Sequence, residues 1–158
     1  MATVDFTKLD LIFDKIERLD EDKLWVFSVD KPIRDKMIEL NTDLQLYEFG
    51  IDSNGNPITS NLSGNSFYSN FTVQFKKAKN QRFDHITLKD TGRFYESFTV
   101  DVTVNDIIFD AEDSQFYDVP LFEVYGVDVL GLTPENMEYI KDTILHNYLK
   151  LLTNELLS

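Results

Sequence analysis

Three observations predict an α+β fold. Apolar stripes at three- and four-residue spacing lie near both ends of the chain, period-two runs lie between them, and a Gly-, Asn- and Ser-rich break separates the two kinds of pattern. The predicted arrangement is an antiparallel β-sheet of about four strands, including a hairpin near 98–110, packed by N-terminal helices and a long C-terminal helix. The chain of 158 residues reads as one domain, a size at which roughly 70% of the unfolded surface can be buried without disulfides or metals. Hydrophobic residues make up 42% and aromatics 13%, enough for a core, and there is no cysteine, which removes thiol nucleophiles and cysteine zinc sites together.

Taken in order, Phe6, Leu9, Phe13, Ile16 and Leu19, with Ile12 beside Phe13, form the first amphipathic helix, with Asp5 where an N-cap belongs. Asp5, Asp10 and Asp14 interrupt that apolar stretch, so it reads as neither secretory signal nor membrane span, and a soluble protein made in the cytoplasm is expected. Residues 24–31, LWVFSVDK, are apolar and too short to assign between a helical turn and a strand. Ile33, Met37, Leu40, Leu44 and Tyr47 give a second helix, opened by Pro32 and stopped by Gly50. Residues 51–66 form the clearest loop, read as a flexible polar arm reaching to about 70. Strands are predicted where Phe71, Val73 and Phe75 alternate with polar partners, again at Ile86 and Leu88, and most cleanly at Phe98, Val100, Val102 and Val104. Asn105-Asp106 turns that last run into Ile107-Ile108-Phe109. Thr133-Pro134-Glu135 opens the final helix, which Met137, Ile140, Ile144, Tyr148, Leu151 and Leu152 carry to the C-terminus.

The formal charge of −13 argues against a protein whose main task is gripping nucleic acid. The charge is segregated. Lys76, Lys77, Lys79, Arg82, Lys89 and Arg93 are six of the fifteen basic residues, whereas residues 94–140 hold eleven acids and no Lys or Arg. One reading is two solvated faces; the other is complementarity between subunits, the basic segment of one against the acidic segment of the next. Phe67, Tyr68, Phe71, Phe75 and Phe83 interleave the basic segment. That mixture can mark a stacking surface for single strands, but at spacing two, in an acidic chain, a strand's core face is the better account.

Candidate chemistry centres on Asp90-Thr91-Gly92, the tripeptide that carries the catalytic carboxylate of aspartic proteases. One copy per chain would require a symmetric dimer, and Val129-Leu130-Gly131 echoes the segment that packs beneath the active turn in such enzymes. Arg93 and Phe94 stand where that family places a small residue, and Lys89 breaks the apolar lead-in, so two such turns should not meet. Asp52, Asn54 and Asn56 fall at alternate positions of a calcium-loop pattern, but Pro57 replaces the required Gly and Ser63 the bidentate Glu. The only histidines, His85 and His146, are far apart, and no metal site or cofactor is expected. His85 is expected on the exposed face of its strand, and Asn61 and Asn70 match a glycosylation sequon with no signal peptide to give it meaning.

The run from Asp84 to Phe98, DHITLKDTGRFYESF, resembles the "(L)xDTGxLxxSI" signature of bacteriophage tail-completion, neck (head-tail connector) and minor tail proteins. Asp90, Thr91, Gly92, Phe94, Ser97 and Phe98 occupy the signature positions. The wider order is similar to a version carried by phages and prophages: Glu39-Leu40-Asn41-Thr42 with Gln45-Leu46, Gly50-Ile51-Asp52-Ser53, Lys79-Asn80-Gln81-Arg82, then Tyr125-Gly126 and Gly131-Leu132-Thr133-Pro134-Glu135-Asn136. The similarity spans roughly residues 38–140. It implies a structural motif, a compact corner from loop into strand, with Asp90 non-catalytic. It also implies a virion protein, assembled in the host bacterial cytoplasm, that forms a cyclic ring with itself and joins a portal or connector ring to tail proteins while DNA passes the lumen unbound; no enzyme, cofactor or membrane is implied. Rings rest on heterologous contacts. Lys76, Lys77, Lys79 and Arg82 are the expected basic interface, and Asp110, Glu112, Asp113 and Asp118 the acidic one. The family often begins with a longer basic helical region, whereas this N-terminus is acidic. The other readings are a homodimeric aspartic protease using Asp90-Thr91-Gly92 and an acidic protein-interaction adaptor outside any phage.

Overall fold

The computed structural model describes residues 7–113, 115–116 and 119–157. Helices dominate. The first, α1, spans Thr7–Glu17; the expected cap Asp5, the stripe residue Phe6 and the acidic residue Asp118 lie outside the described residues. The ambiguous segment at 24–31 is resolved as helix α2, Glu21–Ser28, because Asp20 caps it by accepting from the Lys23 N–H at 3.0 Å. Asp30 repeats the device for α3, Lys31–Glu39, accepting from the Ile33 N–H at 3.1 Å with Pro32 in the first turn.

Beyond Glu39 the helix does not stay α. Leu40–Phe49 is a ten-residue π-helix, which Gly50 ends at φ 63° by returning its N–H to the Gln45 carbonyl. The wide turns bury Asn41 and Gln45 against an extended segment far along the chain. Asn41 Nδ2 donates to Val129 O at 3.0 Å and its Oδ1 accepts from Gly131 N at 2.8 Å. Gln45 Nε2 donates to Gly131 O at 3.0 Å, and its Oε1 accepts from Thr133 N at 2.9 Å and Asn136 Nδ2 at 2.8 Å. Two side-chain amides thus imitate strand partners for residues 129–133 and satisfy backbone groups that burial would otherwise leave unpaired.

Phe71, Val73 and Phe75 are not a strand. Residues Asn70–Ala78 form helix α4, capped by Ser69, whose Oγ accepts from Thr72 N at 3.2 Å. An i, i+2, i+4 pattern contains the i, i+4 pair of a helix, and five residues are too few to separate the two periods. Ile86 and Leu88 are not a strand either: Leu88 adopts φ 55°, which reverses the chain. A short helix α5, Arg93–Glu96, leads into the hairpin of β1, Thr99–Val102, and β2, Ile107–Asp110, paired Thr99↔Asp110 to Val102↔Ile107. The turn falls at 103–106, where Thr103 N donates to Asp106 O at 2.9 Å, so Val104 lies in the turn and not in the strand. The hairpin is the main sheet, with fewer strands than expected; β3, Gln115–Phe116, and β4, Val119–Pro120, pair separately. Helix α6, Leu121–Tyr125, and the long α7, Pro134–Leu157, complete the order.

Two adjoining clusters form the core. Leu46, Ile86, Phe94, Phe98, Leu121 and Val129 fill one; Val29, Met37, Leu40, Val100, Leu132 and Ile140 fill the other; Ile38 packs against both. Phe98 and Val100, on one continuous stretch, belong to different clusters, so the entry to β1 threads from one to the other. Helix α7 packs along α1, α2 and α3, and Asn147 Nδ2 ties it to α2 through Ser28 O at 2.7 Å. No helix among the described residues is long and apolar enough to cross a membrane.

Candidate functional site

An open groove of about 810 Å³ lies between α4 and the Asp-Thr-Gly corner. The corner is built from backbone up. Asn80 and Leu88, both at positive φ although not glycine, fold residues 80–88 back toward α4. Gln81 Nε2 then donates to Asp90 O at 2.6 Å, and Lys79 Nζ meets Asp90 Oδ1 at 2.5 Å. Thr91 Oγ1 accepts from Arg93 N at 3.4 Å, and Gly92 at φ 93° opens α5. A Cβ at Gly92 would meet only ordinary contact with Glu96, so the glycine serves conformation and not space. The tripeptide therefore turns the chain into a helical turn first, and the strand starts at Thr99.

The rest of the motif is packing. Phe94 and Phe98 are buried, with ring centroids 5.0 Å apart edge to face, and Phe122 closes on Phe94 at 6.1 Å. Ser97 Oγ donates to Phe94 O at 2.6 Å and accepts from Glu112 N at 3.0 Å, which locks the corner to the segment after the hairpin. All six signature residues are brought together, and the hydrogen bonds made by Thr91 and Ser97 go to backbone.

The expected basic face is divided by the fold. Lys76 is 6% exposed, so it is not an outer-surface residue: its Nζ donates to Lys89 O at 2.8 Å and stands 4.8 Å above the Tyr68 ring, and burial pulls its pKa below the ordinary lysine value. Lys77 lies over the Phe83 ring and Lys79 on Asp90. Arg82 bridges Glu48 and Asp84, each at 2.8 Å, which holds the Asp84 carboxyl below its usual range. On the expected acidic face, Asp110 accepts from Ala111 N and Asp113 from Phe122 N. Glu112 and Asp113 line the same groove as Lys76 and Lys79. The two charged segments are thus partly walls of one groove in one chain, because the corner carries residues 90–113 back past α4.

The apolar lining that the sequence concealed is on α4. Phe71 and Phe75, expected on a strand's core face, stack 4.8 Å apart and are 64% and 54% exposed. The only buried residue of α4 is Lys76. Asn41 and Gln45 were named in the sequence only as part of the resemblance, and nothing in their spacing on a helix that also carries Thr42, Asp43 and Glu48 marked them as the ones that reach inward. His85 is half-buried and not on an exposed strand face: its Nε2 meets Tyr47 O at 2.8 Å, over the end of the π-helix. Asp52 Oδ1 accepts from Asn54 N at 2.9 Å and Asn56 N at 2.8 Å, so the calcium-like spacing is the spacing of an Asx turn. Among the described residues no three His, Asp or Glu side chains converge as metal ligands would. Comparison with protein-family models, with curated proteins and with solved structures finds no match to this chain.

Proposed function

We propose that the chain is a virion structural protein, a ring-forming head-tail connector or tail-completion adaptor between portal and tail, and not an enzyme. The observation that carries assembly is the presence of two separate uncovered apolar surfaces on one chain. Phe71 and Phe75 form one, on α4; Phe13 and Ile16, one turn apart on α1, form the other. Monomers rarely leave such groups open without a partner, and a ring needs two different faces. The connector assignment rests on the resemblance to tail-completion and neck proteins. It is supported by the way the resembling segments serve one packed unit: Asn41 and Gln45 clamp 129–136, and the Asp-Thr-Gly corner anchors α5 and β1. A non-catalytic Asp90 is supported by its engagement with Lys79 and by the bulky Phe94 that follows.

On this reading the ring joins a portal or connector ring to tail proteins in the virion. Its charge of −13 lets DNA pass the lumen without adhering. The test is native mass spectrometry across concentration, with negative-stain imaging and addition of portal and tail rings. A closed ring, or a monomer that joins a partner ring, is the expected result. A discrete two-fold dimer that cleaves peptides, with cleavage lost in Asp90→Asn, would overturn it.

A further inference from the structure

We infer that the groove between α4 and the Asp-Thr-Gly corner receives helix α1 of a second copy of this chain; the inference rests on the ring reading and names its two faces. Phe71 and Phe75 stand on one wall of the groove, uncovered, on a helix whose single buried residue is a lysine. A helix that buries so little of its own chain has its apolar side available to another. On α1, Phe13 and Ile16 are 55% and 49% exposed and three residues apart, the spacing with which a helix enters a groove. Within its own chain α1 rests on α7, with Lys15 Nζ donating to Leu156 O at 3.4 Å, so its outer flank is left uncovered.

Charge selects this pairing over its rivals. The exposed charged residues from the second half of α1 into α2 are Asp14, Glu17, Arg18, Asp20, Glu21, Asp22 and Lys23, five acids against two bases. The groove's lining carries Lys79, Lys89 and Arg93, and among the described residues Arg93 has no ion-pair partner. Two α4 helices meeting face to face would oppose lysines to lysines, and two α1 helices carboxylates to carboxylates, each at a like-charge cost. The acidic residues Glu112 and Asp113 are poorer occupants, because they already line the groove within their own chain. Association is therefore head to tail, α1 of each copy into α4 of the next.

The chain has no cysteine, so cross-links can be placed at will. Ile16→Cys and Phe71→Cys variants, each shown folded by circular dichroism, are oxidised alone, mixed, and as the double variant. The expected result is a disulfide dimer from the mixture, none from either alone, and a ladder of multimers from the double variant; Phe71→Asp is expected to weaken association at least tenfold. Dimers from either single variant alone would show a like-on-like face and overturn the pairing. Failure of the mixture to cross-link, while native mass spectrometry still records rings, would overturn the pairing and leave the ring reading intact. A chain that stays monomeric at every concentration and joins no partner ring would overturn both.

Discussion

Gly50 is the position at which one added methyl group does most harm. Its φ is 63°, and a Cβ there would stand 2.3 Å from His85 Cδ2, on a ring already fixed by Tyr47 O. Gly55 has a similar φ of 79° with nothing within 4 Å. Both alanine variants bear the left-handed conformational cost of about 1–2 kcal/mol, and Gly50→Ala adds an overpacking cost of about 1–3 kcal/mol. Urea unfolding followed by Trp25, the only tryptophan, should rank Gly50→Ala clearly below Gly55→Ala. Lys76 gives a second contrast. Its folded pKa lies below the ordinary 10.5, so burial opposes the charged form, and that cost is fully present at pH values below the folded pKa. Wild-type stability should therefore rise as pH climbs from the lowered value toward 10.5. Lys76→Met should match or exceed wild type at pH 7, with its advantage shrinking over that interval, while Lys76→Glu, a carboxylate facing Lys89 O, should lose about 3 kcal/mol. Parallel urea titrations across pH check both.

At the scale of elements, the π-helix and α7 are coupled through two side chains. Removing the Gln45 amide leaves Thr133 N–H without its acceptor and Asn136 without its partner in a buried place. Gln45→Ala should cost about 2–4 kcal/mol, and amide exchange at Thr133 should speed up before exchange in α2 does. The helices containing this pair were legible: Pro32, Gly50 and the Thr133-Pro134 opening mark ends that local chemistry decides, and the hairpin at 98–110 followed from alternation and a turn. Helix α4 was not. Phe71, Val73 and Phe75 satisfy both periods, and Ser69, which settles the matter by capping Thr72, is an ordinary loop residue when read in one dimension. The π-turns were hidden for another reason: their register is set by what Asn41 and Gln45 reach, and that partner lies 86 to 91 residues away.

For the whole molecule, assembly should depend on charge at the groove and not on the Asp90 carboxylate as such. Asp90→Asn keeps the backbone acceptor that Gln81 uses and releases Lys79 from its ion pair, so sedimentation should show association retained or strengthened, not lost. Arg93→Glu should weaken association, and rising salt should weaken the wild type as it screens exposed pairs; the variant should show the flatter salt dependence. Composition, spacing and caps determined the mixed class, the helical ends, the hairpin and the corner at Asp90-Thr91-Gly92, because each depends on residues within a turn or two of one another. Only the tertiary structure decided that the basic and acidic segments line one groove, that Lys76 is buried, and that Phe71 and Phe75 are left outside. Those outcomes depend on where a reversal at Leu88 and a pair of buried amides carry distant segments, and no local pattern encodes the contact of residues so far apart.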